Sequence, residues 1–184
     1  MMIPDTPINS IRPSEWRANY VLKPDMRLLA ASIRDYGWLA PILVRRADST
    51  IIDGFHRWVA AQNDRQIRAR DNDLVPVVQL DIDQVDAMIM HVRLNRARGQ
   101  LVARPLSEIV RALMRSKKFE NFDIARMLEM TSEEFELLSD GTLLKIRKIS
   151  EHKYSAAWVP VEAPKPGSNI AANLTIERPP NKDR

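Results

Sequence analysis

Cysteine is absent from the 184-residue chain, which removes disulfides, thiolate metal sites and thiol catalysis and suits a cytoplasmic setting. Histidine is scarce: His56, His91 and His152 are not spaced as a ligand pair, so a metal site built on histidine is not expected. Although 45% of the residues are hydrophobic, no uninterrupted apolar run approaches the ~18–20 residues of a membrane span. The start, Met1-Met2-Ile3-Pro4-Asp5, lacks a basic segment followed by an apolar one and does not read as a signal peptide. No internal repeat is evident. The length suits one full core, or a core domain with a small helical appendage.

Positive charge is present in modest excess and unevenly placed. The net charge is +4, yet between Arg93 and Lys118 eight basic residues face a single acid, Glu108. Such a block attracts phosphate, whether on a nucleotide or on nucleic acid, and makes Arg111, Arg115, Lys117 and Lys118 candidate nucleic-acid contacts. The plainer reading is a solvated basic helix face.

The most informative stretch runs from Thr50 to Gln62. Ile51 and Ile52 lead into Asp53-Gly54, and the eight residues that follow have helical composition, so a strand, a tight turn and a helix are expected. Such a junction aims free backbone N–H groups and the positive end of a helix dipole at whatever lies beyond the strand. His56 and Arg57 stand in the first turn, where a guanidinium fork matches phosphate oxygens, and Gly54 allows close backbone approach. A small phosphate cradle is one reading. The other is a strand–helix corner whose arginine pairs with a nearby carboxylate.

Three stretches together resemble a known family. These are Leu29 to Gly37, then Pro41-Ile42-Leu43-Val44-Arg45, then Ile52-Asp53-Gly54-Phe55-His56-Arg57. Their order and spacing are similar to the ParB N-terminal domain of the ParB/sulfiredoxin superfamily, over roughly the first hundred residues. The resemblance implies an α+β fold with a small mixed sheet and flanking helices. It also implies that the Gly54-x-His56-Arg57 turn binds nucleotide phosphates, with Asn95-x-x-Arg98 forming the second half of the site. The family usually has an acid before that Asn; here the residue is Leu94. Sulfiredoxin activity is excluded, because its chemistry needs a cysteine where Phe55 stands.

Along the chain, a short strand is expected within Pro7 to Pro13 and a helix after Asp25, with Leu29, Ile33 and Tyr36 on one face and Gly37 as its stop. Ile42 to Val44 and Thr50 to Ile52 read as a hairpin, Arg65 to Asp73 as a loop, and Val75 to Leu80 as a strand kept near an edge by Pro76. A long helix follows a capping-box-like Asp81 and carries Val85, Met88, Ile89 and Val92 on one face. Pro105 opens another, with a stripe of Leu106, Ile109, Val110, Leu113 and Met114. Two short helices then resemble, in order and length, the helix-turn-helix that follows the nucleotide domain in ParB proteins. The second of them is acidic, however: Glu133, Glu134, Glu136 and Asp140 suit a structural helical cap or a partner surface better than a major groove.

The expected organisation is therefore a nucleotide-binding domain over residues 1–100, a degenerate helix-turn-helix-like segment over 101–142, and an extended or partly disordered tail over 143–184. In the tail, Tyr154, Trp158 and Val159 are candidates to pack back on the core, and no room is left for a separate dimerisation domain of the partition proteins. Three functions compete. The first is a nucleotide-binding protein using CTP or ATP, with or without Mg2+, associated with DNA partition, regulation or a mobile element. The second is a ParB-fold kinase, in which Asp53 orients or deprotonates an attacking hydroxyl; Asp53 can equally be a turn residue. The third is a scaffold that binds a protein through its acidic 131–140 helix.

Overall fold

The computed structural model describes residues 5–16, 21, 23–98 and 101–140, together with the backbone of two short strands at 153–154 and 160–161. The chain opens with β1 (Thr6–Pro7) and a 3-10 turn over Ile8–Ser10. A continuous strand does not form here, because Ser10 turns back to donate to the Pro7 carbonyl at 2.7 Å and Ile8 points into the core. Arg12 then bridges in parallel to Thr50.

Helix α1 (Lys23–Tyr36) ends where the Gly37 N–H closes on the Ile33 carbonyl at 3.0 Å with φ +75°, the left-handed stop that glycine accepts without penalty. Asp25 lies within its first turn, and Tyr36, expected on the buried face, is 70% exposed. Strands β2 (Ile42–Arg45) and β3 (Ile51–Asp53) form the expected antiparallel hairpin, with a register irregularity between Leu43 and Val44. Helix α2 (Phe55–Asn63) follows the hairpin directly.

The expected loop after α2 is instead a helix, α3 (Arg65–Arg70). One Asp64 oxygen accepts from the N–H groups of Gln66 at 2.9 Å and Ile67 at 3.1 Å, and the buried Ile67 anchors the turn. One apolar residue cannot produce a visible period, so only the capping aspartate announced it. Pro76 divides the next strand into β4 (Leu74–Val75), antiparallel to β1, and β5 (Val77–Leu80), parallel to β2. The main sheet thus has the order β3-β2-β5, with β5 at an edge as expected.

Helix α4 (Gln84–Arg96) is capped by Asp83, which accepts from the Asp86 N–H at 2.9 Å, rather than by Asp81. After β6 (Leu101–Val102) come α5 (Ala103–Ser116), α6 (Asn121–Met127) and α7 (Ser132–Ser139). Backbone pairing continues from β6 to β7 (Lys153–Tyr154) and on to β8 (Pro160–Val161), both antiparallel. Trp158, Val159 and the rest of the expected tail lie outside the described residues.

Two apolar clusters result. One joins the hairpin, α1, α2 and α3 through Ile33, Trp38, Ile42, Val44, Ile51 and Trp58. The other joins Met88, Ile89 and Val92 of α4 to the α5 stripe and to Ile124, Leu128 and Leu138. Helix α4 therefore packs against the helices on one face and against β3 on another.

Candidate functional site

The site begins where β3 stops. Gly54 has φ +92°, and a Cβ placed on it would lie 2.8 Å from Arg57 Nη2 and 3.2 Å from Ile42 Cα. The left-handed backbone favours glycine, and an added Cβ would also crowd the Ile42 backbone and the Arg57 guanidinium that folds back over the turn. Arg57 Nη2 donates to the Pro41 carbonyl at 2.8 Å and to Asp53 Oδ2 at 3.2 Å, while its buried Nε has no hydrogen-bond partner among the described residues.

Asp53 is buried between two guanidiniums. Besides Arg57, it receives a fork from Arg98, with Nη1 on Oδ1 at 2.7 Å and Nη2 on Oδ2 at 3.1 Å. Burial alone would raise its pKa, but the hydrogen bond from Arg98 and the charges of Arg57 and Arg98 outweigh it and hold the carboxyl below the usual carboxylate range. Such a carboxylate is a weak base. The two arginines differ: the Arg57 side chain is 21% exposed and Arg98 53%.

Helix α4 supplies the opposite wall. His91 is buried, and its Nδ1 lies 2.8 Å from the Ile52 carbonyl, an acceptor, so Nδ1 carries the proton. Asn95, one turn later and also buried, donates its amide to the His91 carbonyl at 2.8 Å. Trp16 meets the His91 ring edge-on with centroids 5.3 Å apart. Burial lowers the pKa of His91 against the opposing pull of the Ile52 carbonyl and Asp53, with Arg98 also lowering it, so the ring docks as a neutral group. Its bond fixes the end of β3 just before Asp53. Sequence reasoning passed over His91; the available signal was its i, i+4 spacing from Asn95, which puts both on one helix face.

These parts enclose a cavity of about 340 Å³, within the range of small-ligand sites. Asp53, Gly54, His56, Arg57, Asn95 and Arg98 all line it, so residues chosen from two distant stretches of sequence meet in one place. Val21, Leu29 and Phe55 add an apolar side, and Phe55 stacks edge-on with His56 at 5.4 Å.

The candidate nucleic-acid contacts do not line this cavity. Arg111 is half-buried on α5, and Arg115 and Lys117 are exposed near its end. Lys118 reaches back to Asp83 and Asp86 at the start of α4. Of the two readings of the acidic helix, Glu134 follows the structural one, while Glu133, Glu136 and Asp140 stay exposed. Thr131 caps α7 by accepting from the Glu134 N–H at 3.1 Å, but the Glu134 carboxylate is fully buried and takes a fork from Arg96 at 2.6 and 2.8 Å. It is an internal ion pair and no part of a partner surface.

A family model described as the ParB N-terminal domain matches residues 2–95, half of the chain. The chain belongs to the ParB N-terminal domain family. The uncharacterized protein YbdM of Escherichia coli K12 is 31% identical to this ParB-family chain over 153 residues, covering 82% of it and 72% of YbdM. That match is longer than the family model's, so the likeness continues past the N-terminal domain. The transcriptional regulator NovG of Streptomyces niveus is 34% identical over 87 residues, 47% of this chain and 24% of NovG. Among solved structures, a Pnob8-like ParB-N domain shares the fold with a TM-score of 0.50 at 14% identity, covering 79% of this chain and 69% of that one. Among the described residues no helix is long and apolar enough to cross a membrane.

Proposed function

We propose that this ParB-family chain binds a nucleotide, CTP or ATP, in the cavity between α2 and α4 and acts in DNA partition, DNA-linked regulation or a mobile element. The observation that carries this reading is the meeting of Arg57 and Arg98 at the Gly54 turn, at the N-terminus of a nine-residue helix. Gly54, His56 and Arg57 serve the phosphates from one side, Asn95 and Arg98 from the other. Each charge-assisted contact contributes roughly 1.5–3 kcal/mol, so three or four reach the ~8 kcal/mol of micromolar binding. Val21, Leu29 and Phe55 offer the remaining wall to the apolar faces of the ligand. The DNA-linked part rests on family membership and on the likeness to a transcriptional regulator.

The kinase reading has less support from the geometry. A general base needs a pKa near the working pH, and both Asp53 oxygens are held by cations that keep the group ionised and weakly basic. Calorimetry with CTP, ATP, ADP and GTP, with and without DNA, tests the proposal. Micromolar binding of one nucleotide is expected. No binding of any of them, by a protein that melts cooperatively, would refute it.

A further inference from the structure

Among the described residues lining the cavity one side chain is acidic, and its oxygens are already engaged. Asp53 accepts from Arg57 and takes the Arg98 fork, so a cation seeking that carboxylate would meet two guanidiniums first. Among the described residues no three His, Asp or Glu side chains gather to hold a metal ion. Protein-held Mg2+ uses one or two carboxylates together with substrate phosphates. This donor set does not fit one.

The arrangement instead has the form of an anion site that carries its own anion. We propose, on the nucleotide reading above, that Asp53 is the internal counter-anion of the site and that a polyphosphate binds free of divalent metal by taking Arg98 from it. Arg98 is the arginine that can be exchanged. Its guanidinium is half-exposed, it lies beyond the last turn of α4, and among the described residues its side chain bonds only Asp53. Arg57 is also held by the Pro41 carbonyl and lies over Gly54, so it stays with Asp53 and keeps the buried carboxylate paired after the exchange. Two guanidiniums against one carboxylate leave the cavity net positive. Neutralising Asp53 removes the group that competes with phosphate for Arg98.

The test is calorimetry of the whole chain with tripolyphosphate, CTP and ATP, in EDTA and in Mg2+, on the wild type, Asp53→Asn and Arg98→Gln. In EDTA the wild type should bind its nucleotide at least as tightly as in Mg2+. Asp53→Asn should bind tripolyphosphate about tenfold more tightly, the scale of one charge-assisted contact, and Arg98→Gln should lose most of the affinity. Binding that appears only with Mg2+, or an Asp53→Asn variant that binds no more tightly, overturns this inference and leaves the nucleotide site standing. Absence of binding in both buffers overturns the nucleotide reading and this inference with it. The comparison of EDTA with Mg2+ needs only the wild type, so Mg2+-dependent binding overturns the inference even if a variant fails to fold.

Discussion

Replacing Arg57 by alanine separates the phosphate cradle from the plain strand–helix corner. Arg57 is partly structural: its Nη2 ties α2 to the Pro41 carbonyl and supports Asp53. Its loss leaves Asp53 with the Arg98 fork, so no buried charge is stranded, and the stability cost should be about 1–3 kcal/mol. For a chain of this length that corresponds to a fall in melting temperature of about 2–12 °C. The ligand should suffer more. One or two charge-assisted phosphate contacts disappear, which weakens binding by roughly ten- to a thousandfold. Arg57→Lys keeps the charge but not the planar fork and should fall between wild type and alanine. Thermal melting and nucleotide calorimetry on the same preparations supply both numbers. A lowered melting point with unchanged affinity would mean that Arg57 is a bolt between α2 and β2, and the cradle would have to be abandoned.

Glu134→Ala strands the half-buried Arg96 and should cost about 3–5 kcal/mol, whereas Arg96→Met with Glu134→Leu should restore most of it; a denaturant series that finds less than about 1 kcal/mol for the single variant would remove the pair from the account. His91 has a folded pKa below its ordinary value, so the unfolded chain binds its proton first: the stability it lends is complete above about pH 6.5 and falls as pH drops below it. Melting curves between pH 5 and 8, compared with those of His91→Gln, should show this slope in the wild type only. Any DNA binding should run through Arg111, Arg115 and Lys117, whose change to Gln together should weaken all sequences alike and reduce the salt slope by about 3; loss confined to one sequence would restore α6 and α7 as the reader.

The legible parts of this fold were those in which one short segment carries its own instruction. The hairpin into Asp53-Gly54, the Gly37 stop and the α5 stripe all follow from local chemistry, and each is present. What was misread depends on partners far along the chain. Glu134 lies in an acidic run and looks solvated until Arg96, 38 residues earlier, is brought beside it. Asp53 could be a base or a turn residue by sequence, and its pairing with Arg98, 45 residues away, is visible only in the fold. His91 gives a similar lesson, since its i, i+4 spacing from Asn95 places both on one helix face but its role shows only when its ring meets the Ile52 carbonyl.

The same reasoning changes the meaning of the basic block. Basic residues at the end of α4 complement its dipole, and by composition they form one positive patch. In the structure, however, Arg96 and Arg98 leave the helix end for different carboxylates: Arg96 for the buried Glu134 of α7, Arg98 for Asp53 beside the Gly54 turn. Lys118 is held at the other end of α4 by Asp83 and Asp86. The first pair is deep, since Glu134 is fully buried, and Arg96 also donates to the Glu129 carbonyl at 3.2 Å, so its separation would expose an unpaired charge to an apolar core. The second pair has one half-exposed member beyond the last turn of the helix. An incoming anion can therefore redirect Arg98 without moving α4, because the helix is fixed by Arg96 and by its two packed faces. On the proposed reading, two arginines two residues apart thus divide their work, one holding the wall of the site in place and the other meeting what enters it.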